Sequence, residues 1–242
     1  MEKINRKSAA RASIQLGELD YTPILLGCIV ILVTLVLLYV WKKKRSARTD
    51  VLLMGLCDSG KTLLFSQLIL GEAKETFTST KENLGYLATA QGELRVVDIP
   101  GHERLRGTFF DQYKNFAKAI VFVVDSVTVQ KDVRDVAYFL YTVLADKATN
   151  NLPCIVLCNK QDETLAKGDS VIKSLLEKEI NVVRQTRKSQ LQSVDQNNTD
   201  SVFLGKPDKD FDFSQVSQTV KFVPCSAQEV QLDDLITFLD TL

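Results

Sequence analysis

The stretch "DVLLMGLCDSGKTLLFSQLIL", residues 50–70, joins an apolar run that reads as a β-strand, a loop of the form Gly-x-x-x-x-Gly-Lys-Thr, and a run with helical spacing. Strand, turn and helix in that order are the setting a phosphate-binding loop requires. Gly55 and Gly60 keep side chains out of the way, so the successive backbone N–H groups of Leu56, Cys57, Asp58 and Ser59 can surround a β-phosphate at a helix N-terminus. Lys61 is expected to reach the β- and γ-oxygens, and the Thr62 hydroxyl to coordinate Mg²⁺.

Further motifs follow in an order that specifies the base. The runs "LGYLATA" and "LRVVDI" flank a polar turn at Gln91-Gly92-Glu93, which predicts a hairpin. The second run ends in Asp98, a carboxylate at a strand terminus where Mg²⁺ would be held, and Gly101 then offers an unobstructed N–H to a γ-phosphate. "AIVFVVDS" and "PCIVLCNKQD" read as buried parallel strands separated by the helical "VRDVAYFLYTVLADK". The second of these strands leads into Asn159-Lys160-Gln161-Asp162. The Asp162 carboxylate can accept from both N1–H and the N2 amine of guanine, whereas adenine lacks that pair of donors. Lys160 can lie over the nucleotide, Asn159 can tie loops together, and Ser226-Ala227, after the strand "VKFVPC", can meet guanine O6 through a backbone N–H. The sequence therefore predicts an α/β fold with a mostly parallel central sheet, helices on both faces, and GTP or GDP with Mg²⁺ at the carboxyl ends of the strands.

Composition bounds what else the chain does. Thirty basic and thirty acidic residues cancel, so no direct nucleic-acid binding is expected. The odd number of cysteines, scattered through apolar segments, argues against a secreted disulfide framework, and Cys154 and Cys158 read as small buried hydrophobes. Residues 21–41, "YTPILLGCIVILVTLVLLYVW", carry no charge and have the length of a single transmembrane helix with aromatic residues near its ends. Trp41-Lys42 is no small-residue cleavage site, which counts against a signal peptide. The basic "KKKRSAR" after the span, set against Glu18 and Asp20 before it, favours a cytosolic C-terminal domain. The expected organisation is a short tail at 1–20, the span at 21–41, a basic linker at 42–49 and the nucleotide-binding domain at 50–242, with a polar insertion at 185–218.

"GLCDSGKT", "DIPGHERLR", "NKQD" and "CSA", together with the N-terminal span, resemble the P-loop small-GTPase superfamily, its Arf/Sar-like branch, and within it the family of signal recognition particle receptor β subunits. The resemblance covers roughly residues 21–242. It implies a single-pass protein of the endoplasmic reticulum membrane whose cytosolic GTPase domain pairs, in the GTP state, with the receptor α subunit as a heterodimer. It also implies an indirect link to ribosome and translocon in co-translational targeting. An Arf/Sar-like GTPase of vesicle traffic is the near alternative. Glu2 in place of a myristoylated glycine, and a C-terminal "FLDTL" without a prenylated cysteine, set the chain apart from lipid-anchored members.

His102, the only histidine, stands where many small GTPases carry the glutamine that orients the attacking water and where Sar carries a histidine, so the resemblance gives it a catalytic role. Cys57 occupies a loop position that is glycine in Ras-type enzymes, which implies slow hydrolysis. Three functional classes stay open: a switch that presents ordered segments to a partner, an efficient hydrolase, and a nucleotide-locked scaffold. The first switch, "ETFTSTKENLG", leaves Thr78, Ser79 and Thr80 as candidate metal-sensing hydroxyls; alignment to the Arf-like pattern selects Ser79. The first half of the 185–218 insertion reads as a mobile loop, and "DFDF" within it as a short strand or partner contact.

Overall fold

The computed structural model describes residues 22–45, 48–72, 79–193 and 203–242, and the chain divides into two units between Ala47 and Arg48. The tail at 1–20 and Thr78 lie outside the described residues. In the first unit a helix, α1, covers Thr22–Arg45. Its described side chains lie between Leu26 and Leu38, and the large apolar ones, such as Leu32, Leu35 and Leu38, are exposed. Among the described residues no helix is long and apolar enough to cross a membrane.

The second unit is built on a six-stranded sheet of order β2-β3-β1-β4-β5-β6. Its strands are β1 (Asp50–Met54), β2 (Asn83–Thr89), β3 (Gly92–Asp98), β4 (Ala117–Asp125), β5 (Cys154–Asn159) and β6 (Val220–Pro224). The helices are α2 (Lys61–Leu70), α3 (Glu103–Tyr113), α4 (Val129–Ala145), α5 (Asp169–Ser193) and α6 (Asp233–Asp240). β2 and β3 pair antiparallel across a turn at Ala90 and Gln91, and the other pairings are parallel.

Period-two alternation explains why helices cover both faces. Leu52, Met54, Phe122, Val124 and Val156 point to one side, where they meet Leu140 and Leu144 of α4 and Ile172 and Leu176 of α5. Val51, Leu53, Val121, Val123 and Ile155 point to the other, against Leu64 of α2 and Leu235 and Leu239 of α6. A strand buried on both sides reads as a continuous apolar run, which is how β1, β4 and β5 look in the sequence. The carboxyl ends of β1, β3, β4 and β5 all open onto the loops that carry the motifs.

The polar insertion differs from expectation. Its first residues are no loop, because α5 continues to Ser193. Residues such as Gln185, Arg187 and Lys188 are good helix formers, and Arg187 is held between the rings of Tyr138 and Tyr141 while donating to Thr142 Oγ1 at 3.0 Å. Arg184, buried at 3% exposure, donates to the carbonyls of Leu204, Lys206 and Lys209 and so fastens the returning chain to α5. "DFDF" forms no strand. Phe211 and Phe213 turn inward, their rings 5.1 Å apart, and Phe213 also meets Phe222 of β6 at 4.9 Å. Asp212 caps a single 3-10 turn at Phe213–Gln215 through the Ser214 N–H. The alternation does set both rings on one side, but the segment pairs with none of the six strands.

Because this unit supplies its own core on both sheet faces, a fragment from residue 49 onward should fold without α1. The expected result is a monodisperse species in detergent-free buffer that unfolds in one cooperative transition. Aggregation of the fragment under conditions where the detergent-solubilised full chain is monodisperse would count against it.

Candidate functional site

The loop between β1 and α2 closes around its own backbone. Lys61 is buried, and its Nζ donates to the Leu56 carbonyl, which also accepts from Ser59 Oγ at 2.9 Å. Burial pushes the Lys61 ammonium below its ordinary value, opposed by the negative charge of Asp98. Asp58 and Gly60 adopt positive φ, 59° and 91°, so the chain turns sharply into α2. Gly101, which follows β3, packs so closely that a Cβ there would lie 2.5 Å from the Cys57 nitrogen. Cys57, Asp58, Gly60, Lys61, Thr62, Ser79 and Gly101 line one cavity of about 200 Å³. The fold thus brings the phosphate loop, the first switch and Gly101 together.

At the rim of this cavity, the oxygens expected to hold a cation share one hydrogen-bonded cluster. Thr62 Oγ1 donates to Asp98 Oδ2 at 2.9 Å and lies 3.4 Å from Ser79 Oγ, while Thr80 is exposed. Asp98 is 1% exposed; burial raises its carboxyl above the usual range, against donors Asn83 and Thr62 and the Lys61 charge. Its second oxygen, Oδ1, is buried without a hydrogen-bond partner among the described residues. No three carboxylate, imidazole or thiol groups cluster among the described residues. A cation here would therefore use hydroxyls, one carboxylate and the oxygens of a bound phosphate, the hard donor set that suits Mg²⁺.

Asn159 joins the base-reading loops to the phosphate loop. Its Nδ2 donates to the Ser59 carbonyl at 2.8 Å, and its Oδ1 accepts from the Ala227 N–H at 2.9 Å. Ser226 Oγ donates to Asp162 Oδ1 at 2.6 Å, fixing that otherwise exposed carboxylate beside the Ser226-Ala227 turn. Lys160, at φ 68°, donates through Nζ to Asp125 Oδ2 at 2.7 Å. His102 is exposed and serves as N-cap of α3, its Nδ1 accepting from the Arg104 N–H at 3.3 Å; it does not line the cavity.

Two residues of this arrangement escaped the sequence reading. Asp125 supports Lys160 and caps the Val127 and Thr128 N–H groups; its position at the carboxyl end of β4, matching that of Asp98 on β3, was the available signal. Asn83 donates to Asp98 from across the hairpin; a turn centred on Gly92 pairs Tyr86 with Asp98 instead, so the sequence carried no signal for it.

The family model for the signal recognition particle receptor beta subunit matches residues 46–220. A curated relative, signal recognition particle receptor subunit beta of Rattus norvegicus, is 42% identical over 224 residues, covering 90% of this chain and 83% of that protein. The solved structure of the mammalian SRP receptor superposes with a TM-score of 0.70 at 40% identity, covering 79% of this chain and 98% of that one. Two structures from Chaetomium thermophilum share the fold at lower identity. They are an SRb-GTP/SRX complex (TM-score 0.63, 21% identical, 81% of this chain and 98% of that one) and SRb-GDP-Mg (0.64, 23%, with the same coverage).

Proposed function

Since the chain belongs to the family of signal recognition particle receptor beta subunits, small GTPases of that receptor, we propose that it is a membrane-anchored GTP-binding switch. In this reading it binds the receptor α subunit in the GTP state during co-translational targeting to the endoplasmic reticulum. The observation that carries the nucleotide assignment is the Asn159 bracket, which ties the Ser59 carbonyl of the phosphate loop to the Ser226-Ala227 turn beside Asp162. One ligand would then touch both halves, its phosphates on residues 55–62 and its guanine on Asn159, Lys160, Asp162, Ser226 and Ala227. Thr62, Ser79 and Asp98 would hold Mg²⁺, which neutralises phosphate charge and so keeps the switch segments drawn in. The C. thermophilum SRb-GTP/SRX complex, in which a protein of the same fold is paired in its GTP form, supports the reading of a GTP-dependent heterodimer. The exposed apolar side chains of α1 and the basic residues at its C-terminal end support a single-pass anchor with the GTPase domain in the cytosol.

Identification of the nucleotide that co-purifies with the full chain in detergent tests this reading. A guanine nucleotide near one per chain is expected, GTP if turnover is slow and GDP if it is fast. Adenine nucleotide, or no nucleotide together with no binding of added GTP, would overturn it.

His102 carries the proposed hydrolytic role, and its cap geometry sharpens the test. His102→Ala should leave GTP affinity nearly unchanged while slowing single-turnover hydrolysis by roughly ten- to a thousandfold. It also removes a helix cap, costing about 1 kcal/mol. His102→Asn separates the two effects, since asparagine caps well but is no imidazole. Slow hydrolysis in both variants assigns the chemistry to the ring, whereas parental rates in His102→Asn would leave only the cap.

A further inference from the structure

The Asp98 carboxylate is divided between two tasks. Oδ2 accepts from Thr62 Oγ1 at 2.9 Å and from Asn83 Nδ2 at 2.9 Å, while Oδ1, equally buried, has no partner among the described residues. Two donors on one oxygen hold the carboxylate plane and leave the lone pairs of the other available. Thr62 donates its only proton to Oδ2, so its own lone pairs also remain available. Asn83 is the first residue of β2 and sits directly opposite Asp98 in the antiparallel register, which sets the reach of its amide. The same Nδ2 lies 3.5 Å from Ser79 Oγ. The preceding residue, Glu82, accepts from the Tyr113 hydroxyl of α3 at 3.1 Å, so consecutive residues at the end of the first switch are pinned, one to α3 and one to Asp98.

Resting on the proposed nucleotide and Mg²⁺ site, we infer that Asn83 is a positioning residue for the divalent cation. It holds Asp98 through Oδ2, so that Oδ1 would be the oxygen left for a cation, and it links that hold to the seating of Ser79 and the first switch. An amide is suited to this because it gives N–H to a carboxylate without competing for the metal, as a second carboxylate would. Removing an outer partner of this kind lowers metal affinity about ten- to hundredfold while the direct ligands stay in place.

The test uses the full chain in detergent, loaded with GDP, with Mn²⁺ as a spectroscopic stand-in for Mg²⁺. Mn²⁺ affinity is read from electron paramagnetic resonance, and GDP dissociation is measured in excess Mg²⁺ and again in EDTA. For Asn83→Leu, similar in volume but without donors, Mn²⁺ affinity should fall about ten- to hundredfold. GDP release should quicken about tenfold in Mg²⁺ and stay within about twofold of the parent in EDTA, because only cation-dependent retention is lost. Asn83→Ala, which also lacks a donor and adds no bulk, is read the same way if the leucine variant does not fold. Unchanged Mn²⁺ affinity, or an equal acceleration in Mg²⁺ and EDTA, would overturn the inference, the latter by showing general loosening of the site. A parent chain that holds GDP but takes up no Mn²⁺ would overturn the cation reading itself, and the role of Asn83 with it.

Discussion

Asp162→Asn should cost the chain about a thousandfold or more in GTP affinity and transfer its preference to xanthosine triphosphate. The carboxylate offers two acceptors to the N1–H and N2 amine of guanine, each a charge-assisted bond of roughly 1.5–3 kcal/mol. The asparagine amide offers one acceptor and one donor, so it keeps N1–H but sets an N–H against the guanine amine. Xanthine, with a carbonyl at that carbon, restores the match. The surroundings tolerate the exchange. Asp162 is exposed, and Ser226 Oγ, now donating to Oδ1 at 2.6 Å, also accepts from the Glu229 N–H and stays anchored. A small change in melting temperature should therefore accompany a large change in specificity. Calorimetric titration with both nucleotides measures it. Unchanged GTP affinity in a folded variant would remove Asp162 from the base site and the guanine assignment with it.

What was legible in the sequence follows from how local each feature is. The phosphate loop, Asp98 and the Asn159–Asp162 tetrad each end a strand whose two faces are buried, so apolar runs locate them and glycines or polar residues mark the exits. A mostly parallel sheet with helices on both faces then follows from placing those exits at one edge, whereas the order β2-β3-β1-β4-β5-β6 depends on crossovers that no local run specifies. Cross-strand partners were harder, because a register error moves every pairing. A hairpin turn centred on Gly92 would set Tyr86 opposite Asp98, whereas the observed turn at Ala90 and Gln91 sets Asn83 there and Tyr86 opposite Arg95. The insertion misled for a related reason. Polarity of residues 185–193 suggested a loop, but their helix depends on Arg184 and Arg187 finding carbonyls and aromatic rings that lie far along the chain. His102 was located by motif alone, and its capping bond depends on where α3 begins.

The bracket around Asn159 also makes Gly60 a position where one methyl group should do heavy damage. Gly60 sits at φ 91°, a conformation that costs an L-residue about 1–2 kcal/mol, and an added Cβ would lie 2.2 Å from Asn159 Nδ2. Asn159 is 2% exposed, so it cannot swing into solvent without leaving the Ser59 carbonyl and the Ala227 N–H buried and unpaired. Each such loss costs about 1–3 kcal/mol. Gly60→Ala should accordingly lower stability by about 3–8 kcal/mol, a large share of the ~5–15 kcal/mol typical of a domain. Nucleotide affinity should fall steeply as well, because the phosphate loop and the base loops lose their common tie together. Urea unfolding of the fragment from residue 49, in a double-mutant cycle with Asn159→Ala, separates backbone strain from the clash. If the methyl acts by expelling Asn159, the double variant should be little worse than Asn159→Ala alone, beyond the strain of the positive φ. Additive costs would mean that Gly60 matters only for its backbone angle and that the methyl does not displace Asn159.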